Sequence, residues 1–118
     1  MISPPVYLVS VNKTPARAAS LVDQLLTNLK LNGDVVHVAN APTVEDLQIV
    51  LDALVTPAGI LICSSQWSPE EQQKANTIAK GVFPEIKMVN IPPGLDQREG
   101  SVGILAFLKD AISRAIAN

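Results

Sequence analysis

Two short polar stretches hold most of the side chains in this 118-residue chain that could grip a ligand. The first is Ser10-Val11-Asn12-Lys13-Thr14-Pro15-Ala16-Arg17, which sets hydroxyls, an amide, a Lys and an Arg beside a helix start. Unbonded N–H groups and the helix dipole favour an anion at such a place. A helix capped by Thr14, with Pro15 in its first turn and two solvated basic residues, would use the same letters. The stretch also lacks the Gly that backbone phosphate cradles use. The second is Cys63-Ser64-Ser65-Gln66-Trp67-Ser68-Pro69, which carries the chain's one Trp. Trp67 could stack on a planar ring while Ser64, Ser65 and Gln66 supply hydrogen bonds. It could also be a hydrophobic staple ahead of the Ser68 cap, although the residue one turn on is the polar Gln72. A third stretch, Asn90 to Gly100, contains the turn signal Pro93-Gly94 and a charged run. It reads either as a solvated connector or as a lid over the first two, with Arg98 as an anion partner.

Groups that would do bond chemistry are sparse. The chain has one His and one Cys. His37 lies inside an apolar run and Cys63 closes another, so each reads as a packed residue and not as half of a Cys–His pair. Ser64 and Ser65 lack the flanking glycines of a nucleophile elbow, and no Asp is placed by sequence to orient His37. Glu45-Asp46 and Glu70-Glu71 fall in first helical turns, where dipole and capping account for them, so no metal site is expected. No catalytic residue is assigned.

The elements that must position these stretches follow from a repeated pattern. Val6 to Val11 leads to Thr14-Pro15, Val35 to Ala39 leads to Thr43-Val44-Glu45-Asp46, and Gly59 to Cys63 leads to Ser68-Pro69-Glu70-Glu71. Each is an apolar run, a short loop and a hydroxyl that caps a helix, with Pro or a carboxylate in the first turn. A fourth run, Ile86 to Ile91, precedes an amphipathic segment to the C-terminus. Four such βα units give an α/β fold with one parallel sheet and helices on both faces, in a single domain over residues 1–118. The first and third runs are continuously apolar, as strands covered on both sides are, whereas His37 and Lys87 interrupt the other two. The strand order is therefore 2-1-3-4.

Apolar spacing predicts helices over about Pro15 to Leu31, ending at Asn32-Gly33, and Val44 to Val55, ending before Pro57. It predicts a shallowly seated third helix over Pro69 to Lys80, stopped by Gly81, and a fourth over Val102 to Ala117. The fourth has an apolar arc wider than one packing face needs, because Ala106 and Phe107 extend it. Either it is wedged between sheet and neighbour, or it meets a partner.

Hydrophobic residues make up 47% of the chain and aromatics 3%, the composition of a core built from Val, Ile, Leu and Ala. A net charge of −2 provides no electrostatic footprint for nucleic acid or an anionic membrane surface, so neither is expected as a partner. No apolar run reaches the ~18 residues that span a bilayer, Met1 to Pro5 lacks a basic n-region, and the single Cys63 cannot form an internal disulfide. A cytoplasmic location is the expectation.

The layout resembles the flavodoxin-like and receiver-like superfolds. Ser10 to Thr14 on the first loop and Ser65-Gln66-Trp67 on the third are similar to the phosphate loop and the flavin-flanking aromatic loop of flavodoxins. The chain has Lys13 where those phosphate loops carry Gly, and Pro15 where they carry a hydroxyl. It has neither the acidic residues after the first strand nor the phosphoacceptor Asp after the third that receivers use. The resemblance implies a crevice at the strand-order reversal, with FMN among the ligands such loops hold.

Two function classes follow. In the first, a binder, with or without a reaction, holds a small anionic or phosphate-bearing ligand between Ser10, Asn12, Lys13, Thr14 and Arg17 on one side and Ser64, Ser65, Gln66 and Trp67 on the other, with Arg98 reaching over. Lys13→Ala and Trp67→Ala are then expected to remove binding with little loss of stability. In the second, a non-catalytic module forms a homo-oligomer through the last helix or a sheet edge.

Overall fold

The computed structural model describes residues 4–117. Its strands are β1 (Val6–Val11), β2 (Val35–Ala41), β3 (Ile60–Cys63) and β4 (Lys87–Asn90), and its helices are α1 (Pro15–Asn28), α2 (Leu47–Asp52), α3 (Pro69–Val82) and α4 (Leu95–Ala117). The four strands form one sheet in the order β2-β1-β3-β4, parallel at every pairing. The continuously apolar strands do occupy the middle, and the strands carrying His37 and Lys87 lie at the edges. Their register sets Ser10 opposite Ile62 of β3, and Val11 opposite Cys63. On the other side Leu8 faces His37 but Val9 faces Ala39, so β2 carries one extra residue at Val38.

Alternation along the strands divides the interior into two cores, one on each face of the sheet. Leu8, Ile60, Ile62 and Val89 pack with Leu21, Val22 and Leu25 of α1 and Ile104, Leu108 and Ile112 of α4. Val9, Val11, Leu61 and Cys63 pack with Leu47 and Leu51 of α2 and Ala75 and Ala79 of α3. α3 buries only Gln72, Ala75 and Ala79, the narrow face of a mostly polar helix seated shallowly on the sheet, as its composition implied.

Helix boundaries depart from the periodicity in instructive places. α1 stops at Asn28, because Lys30 adopts φ 58° and the Leu31 amide turns back to the Leu26 carbonyl at 2.9 Å. Gly33, at φ 90°, then turns the chain into β2. α2 is shorter than its apolar spacing suggested, since Thr43 to Asp46 form a separate turn in which the Thr43 hydroxyl accepts from the Asp46 amide at 3.1 Å. Gly81 lies inside α3 instead of ending it; Phe83 closes the helix in extended conformation ahead of Pro84. The largest departure is in α4. The charged run from Leu95 to Glu99 is helical, and it meets the helix that follows across a kink at Gly100, whose φ of 64° and ψ of −162° break the helical path.

Candidate functional site

Three loops meet beyond the carboxyl ends of β1, β3 and β4: residues 12–14, 64–68 and 91–94. They are tied together by main-chain carbonyls and amide side chains. The Lys13 amide donates to Gln66 Oε1 at 2.9 Å, the Gly94 amide to the Ser65 carbonyl at 3.0 Å, and Gln72 Nε2 to the carbonyls of Ser64 and Ile91 at 3.1 and 2.8 Å. Gln72 is 6% exposed, so these bonds satisfy a buried amide and lock the loop after β3, the third βα loop, to the loop after β4, the fourth. Between the third and fourth loops opens a cleft of about 500 Å³, walled by Ser65 to Ser68, Glu71, Pro93, Gly94, Asp96 and Gln97.

The expected ligand residues are drawn to one end of the sheet, but many already have protein partners. Asn12 Oδ1 accepts from the Thr14 amide at 2.7 Å, closing a tight turn. Ser64 Oγ accepts from the Gln66 amide at 3.1 Å. Ser64 and Ser65 are both buried. Arg98, on the helical turn after the fourth loop, donates through Nη1 to the Pro93 carbonyl at 3.0 Å and points along its own segment. Arg17 does not stand open to solvent alone: its Nη2 donates to Asp96 Oδ1 at 2.6 Å and to Ser101 Oγ at 3.2 Å. Lys13 and Thr14 are exposed.

Trp67 is placed differently from an open stacking platform. It is 4% exposed, belongs to the core on the α2 and α3 face, and its Nε1 donates to the Val11 carbonyl at 2.9 Å. The Lys13 ammonium lies 5.2 Å from its ring centroid, so a cation already takes the remaining face. Burial of a large ring makes it a packing residue that joins the first and third loops. The expectation that Trp67→Ala leaves stability intact does not survive this geometry.

Ser10 also turns inward. It is 3% exposed, with Oγ 2.7 Å from Asn40 Oδ1 and 2.8 Å from His37 Nε2. Asn40 Nδ2 donates to the Asn12 carbonyl at 3.1 Å, which fixes its Oδ1 toward Ser10. Oδ1 can only accept, so the single Ser10 proton goes there and His37 Nε2–H must donate to Oγ. The hydroxyl is held by a donor and does not hydrogen-bond to a base, the opposite of nucleophile activation. Burial holds the His37 pKa below its ordinary value, partly offset by the Ala39 backbone. Cys63, fully buried, has its thiol pushed up to about 12 by burial and by the Glu71 charge, which disfavours the thiolate.

At the start of α3 the Ser68 hydroxyl accepts from the Glu71 amide at 3.2 Å while Glu71 Oε1 accepts from the Ser68 amide at 3.1 Å. These bonds from Ser68 hold the Glu71 carboxyl below its usual range, helped by the charges of Lys13 and Lys74. The start of α1 is unlike it. Thr14 makes no side-chain cap, Pro15 has no N–H, and the amides of Ala16 and Arg17 have no acceptor among the described residues. Among those residues no group of three or more His, Cys, Asp or Glu side chains is arranged to hold a metal, and no helix is long and apolar enough to cross a membrane.

Sequence reasoning read His37 as a packed residue but missed its bond to Ser10, and it missed the parts played by Asp96, Gln72 and Asn40. A parallel pairing of the first two strands would have set Ser10 beside Asn40, whereas nothing local marks Asp96 as the partner of Arg17, 79 positions away. The chain matches no protein-family model, no curated protein and no solved structure.

Proposed function

We propose that the protein binds a small anionic or phosphate-bearing molecule at the loop cluster beyond β1 and β3, and that the first turn of α1 receives the anionic group. The observation that carries this reading is the uncapped helix start. The Ala16 and Arg17 amides offer two donors with the positive end of the helix dipole behind them, and the exposed Lys13 adds a cation alongside. The adjoining cleft gives the rest of a small molecule a polar wall. The order β2-β1-β3-β4, with its reversal between β1 and β3, supports likening the fold to flavodoxin-like and receiver-like superfolds, and so supports FMN as a phosphate-bearing molecule to try.

The test is native mass spectrometry of gently purified protein, followed by titration of FMN and of inorganic phosphate into wild type and Lys13→Ala. Loss of one charge-assisted contact should weaken binding about tenfold. Lys13 is exposed and gives up only its contact with the Trp67 ring, so the melting temperature should fall by no more than a few degrees. Absence of a retained mass, together with no response to either probe, would refute the reading.

A second reading, association with another copy of the chain through α4, is supported by Val102, 81% exposed, and by Ile116, 39% exposed. Phe107 is half-buried and packs against the core, so it contributes less open surface than the sequence suggested.

A further inference from the structure

β4 closes one side of the sheet, and no described strand pairs with its outer edge. The amides of Lys87 and Ile91 donate to the carbonyls of Gly59 and Cys63, both at 2.9 Å. Alternate residues of a parallel ladder turn the same way, so the main-chain N–H and C=O of Met88 and Asn90 face the open edge. Natural edges are guarded by a bulge, a Pro or a projecting Lys. β2, on the far side, is guarded by its extra residue at Val38. β4 keeps an unbroken register with β3 and contains no Pro. Its one Lys is drawn off the edge, because Lys87 Nζ donates to the Ala115 carbonyl at 2.6 Å.

α4 runs along this edge and leaves a groove of about 410 Å³ between Met88 to Asn90 and the helical stripe Phe107, Ala111 and Arg114. Val89 packs with Leu108 and Ile112, so the middle of the open edge is level with Ala111. The bond from Lys87 to Ala115 gives the same level. A strand residue rises about 3.3 Å and a helix residue about 1.5 Å, so two residues up β4 from Lys87 match about four residues back along α4 from Ala115. Arg114 and Asp110 pair with each other on the outer rim, their side chains 70% and 69% exposed.

We infer that the free edge of β4 receives the β4 of a second copy of this chain, antiparallel, about a twofold axis at Val89. Met88 of each copy then faces Asn90 of the other, and each such pair exchanges both main-chain hydrogen bonds. The axis that sets the strands also sets the helices. With the paired strands about 4.8 Å apart, the two α4 helices lie antiparallel and side by side on one face, Ala111 against Ala111. Phe107 falls opposite Ala115 of the other copy, a large side chain against a small one. Arg114 falls beside Asp110 of the other copy, opposite in charge. An unlike strand would satisfy the edge alone, whereas a second copy matches edge, groove and charges by one operation. Pairing stops there, because both outer edges of the joined sheet are β2, interrupted at Val38. This goes beyond the α4 association raised above by seating the contact on the strand edge.

The test is sedimentation velocity of the full chain as wild type, Ala111→Glu and Ala111→Lys, with the two variants run singly and mixed. Glu and Lys both suit a helix, but each sets like charges against one another across the axis. The wild type should be a dimer. Either variant alone should associate about a hundredfold more weakly, and the equimolar mixture should recover the dimer. That recovery also shows that both variants fold. Amide hydrogen exchange reads the strand edge. Met88 and Asn90 should be protected in the wild type and exchange freely in Ala111→Glu, while Val89, bonded to β3, stays protected in both. A wild type still monomeric at about 300 µM overturns the pairing. So do dimers in both single variants, a mixture that stays monomeric, or free exchange at Met88 and Asn90 in a wild-type dimer.

Discussion

His37 shows how a single residue can be decided by its neighbours. As the sole His of the chain, set two strands' width from the sole Cys, it invited comparison with a catalytic pair, yet its Nε2–H is spent holding Ser10. Its lowered pKa has a consequence for stability. The fold favours the neutral ring, so the unfolded chain takes up the proton first as pH falls. The His37 contribution is therefore full above its ordinary value of 6.5 and is lost as pH falls below it toward the depressed folded value. Urea unfolding between pH 7.5 and pH 5.5 should show a falling midpoint in wild type. His37→Gln, which can still donate to Ser10, should flatten that dependence. Parallel curves for the two proteins would show that His37 is not the titrating group.

Elements here end where backbone conformation changes, and not always where a glycine stands. Gly81 lies within α3 with nothing within 4 Å of where a Cβ would be, so Gly81→Ala should stabilise the protein by up to about 1 kcal/mol through helix propensity. Gly100 also has open space around it, but its φ of 64° and ψ of −162° belong to a region that side chains disfavour. Gly100→Ala should destabilise by about 1–3 kcal/mol. Denaturant titration of the two variants checks both signs, and a loss in each would mean that Gly81 is not interior to the helix in solution. The same kink brings Glu99 back over the next turn, where a Cβ on Gly103 would lie 2.4 Å from that of Glu99. Close approach at Gly103 and positive φ at Gly100 together explain why two helical segments abut where the sequence suggested a loop followed by a helix.

At the scale of the whole molecule, the two ends of the sheet differ in kind. The loops beyond β1, β3 and β4 are polar and cross-linked, while the opposite end carries a more apolar hollow of about 560 Å³ between Ala58, Ile60, Phe83, Ile86 and Ile116. If α4 pairs with a second copy, light scattering should give a dimer for wild type and a monomer for Val102→Asp, whose exposed side chain can change without disturbing either core. An unchanged mass would confine α4 to its structural part. The four βα units and the order 2-1-3-4 were legible in the chain by itself, because burial on two faces demands continuous apolar strands and edge strands tolerate a His or a Lys. So was the Ser68–Glu71 cap, which needs only residues three apart. Tertiary structure alone decided that Trp67 is buried under Lys13, that Ser10 turns to His37 and Asn40, and that Arg17 is held by Asp96. Each of these joins residues on different elements. Their meeting depends on sheet register, the extra residue at Val38 and the bend at Gly100, and none of these leaves a periodic mark in the sequence.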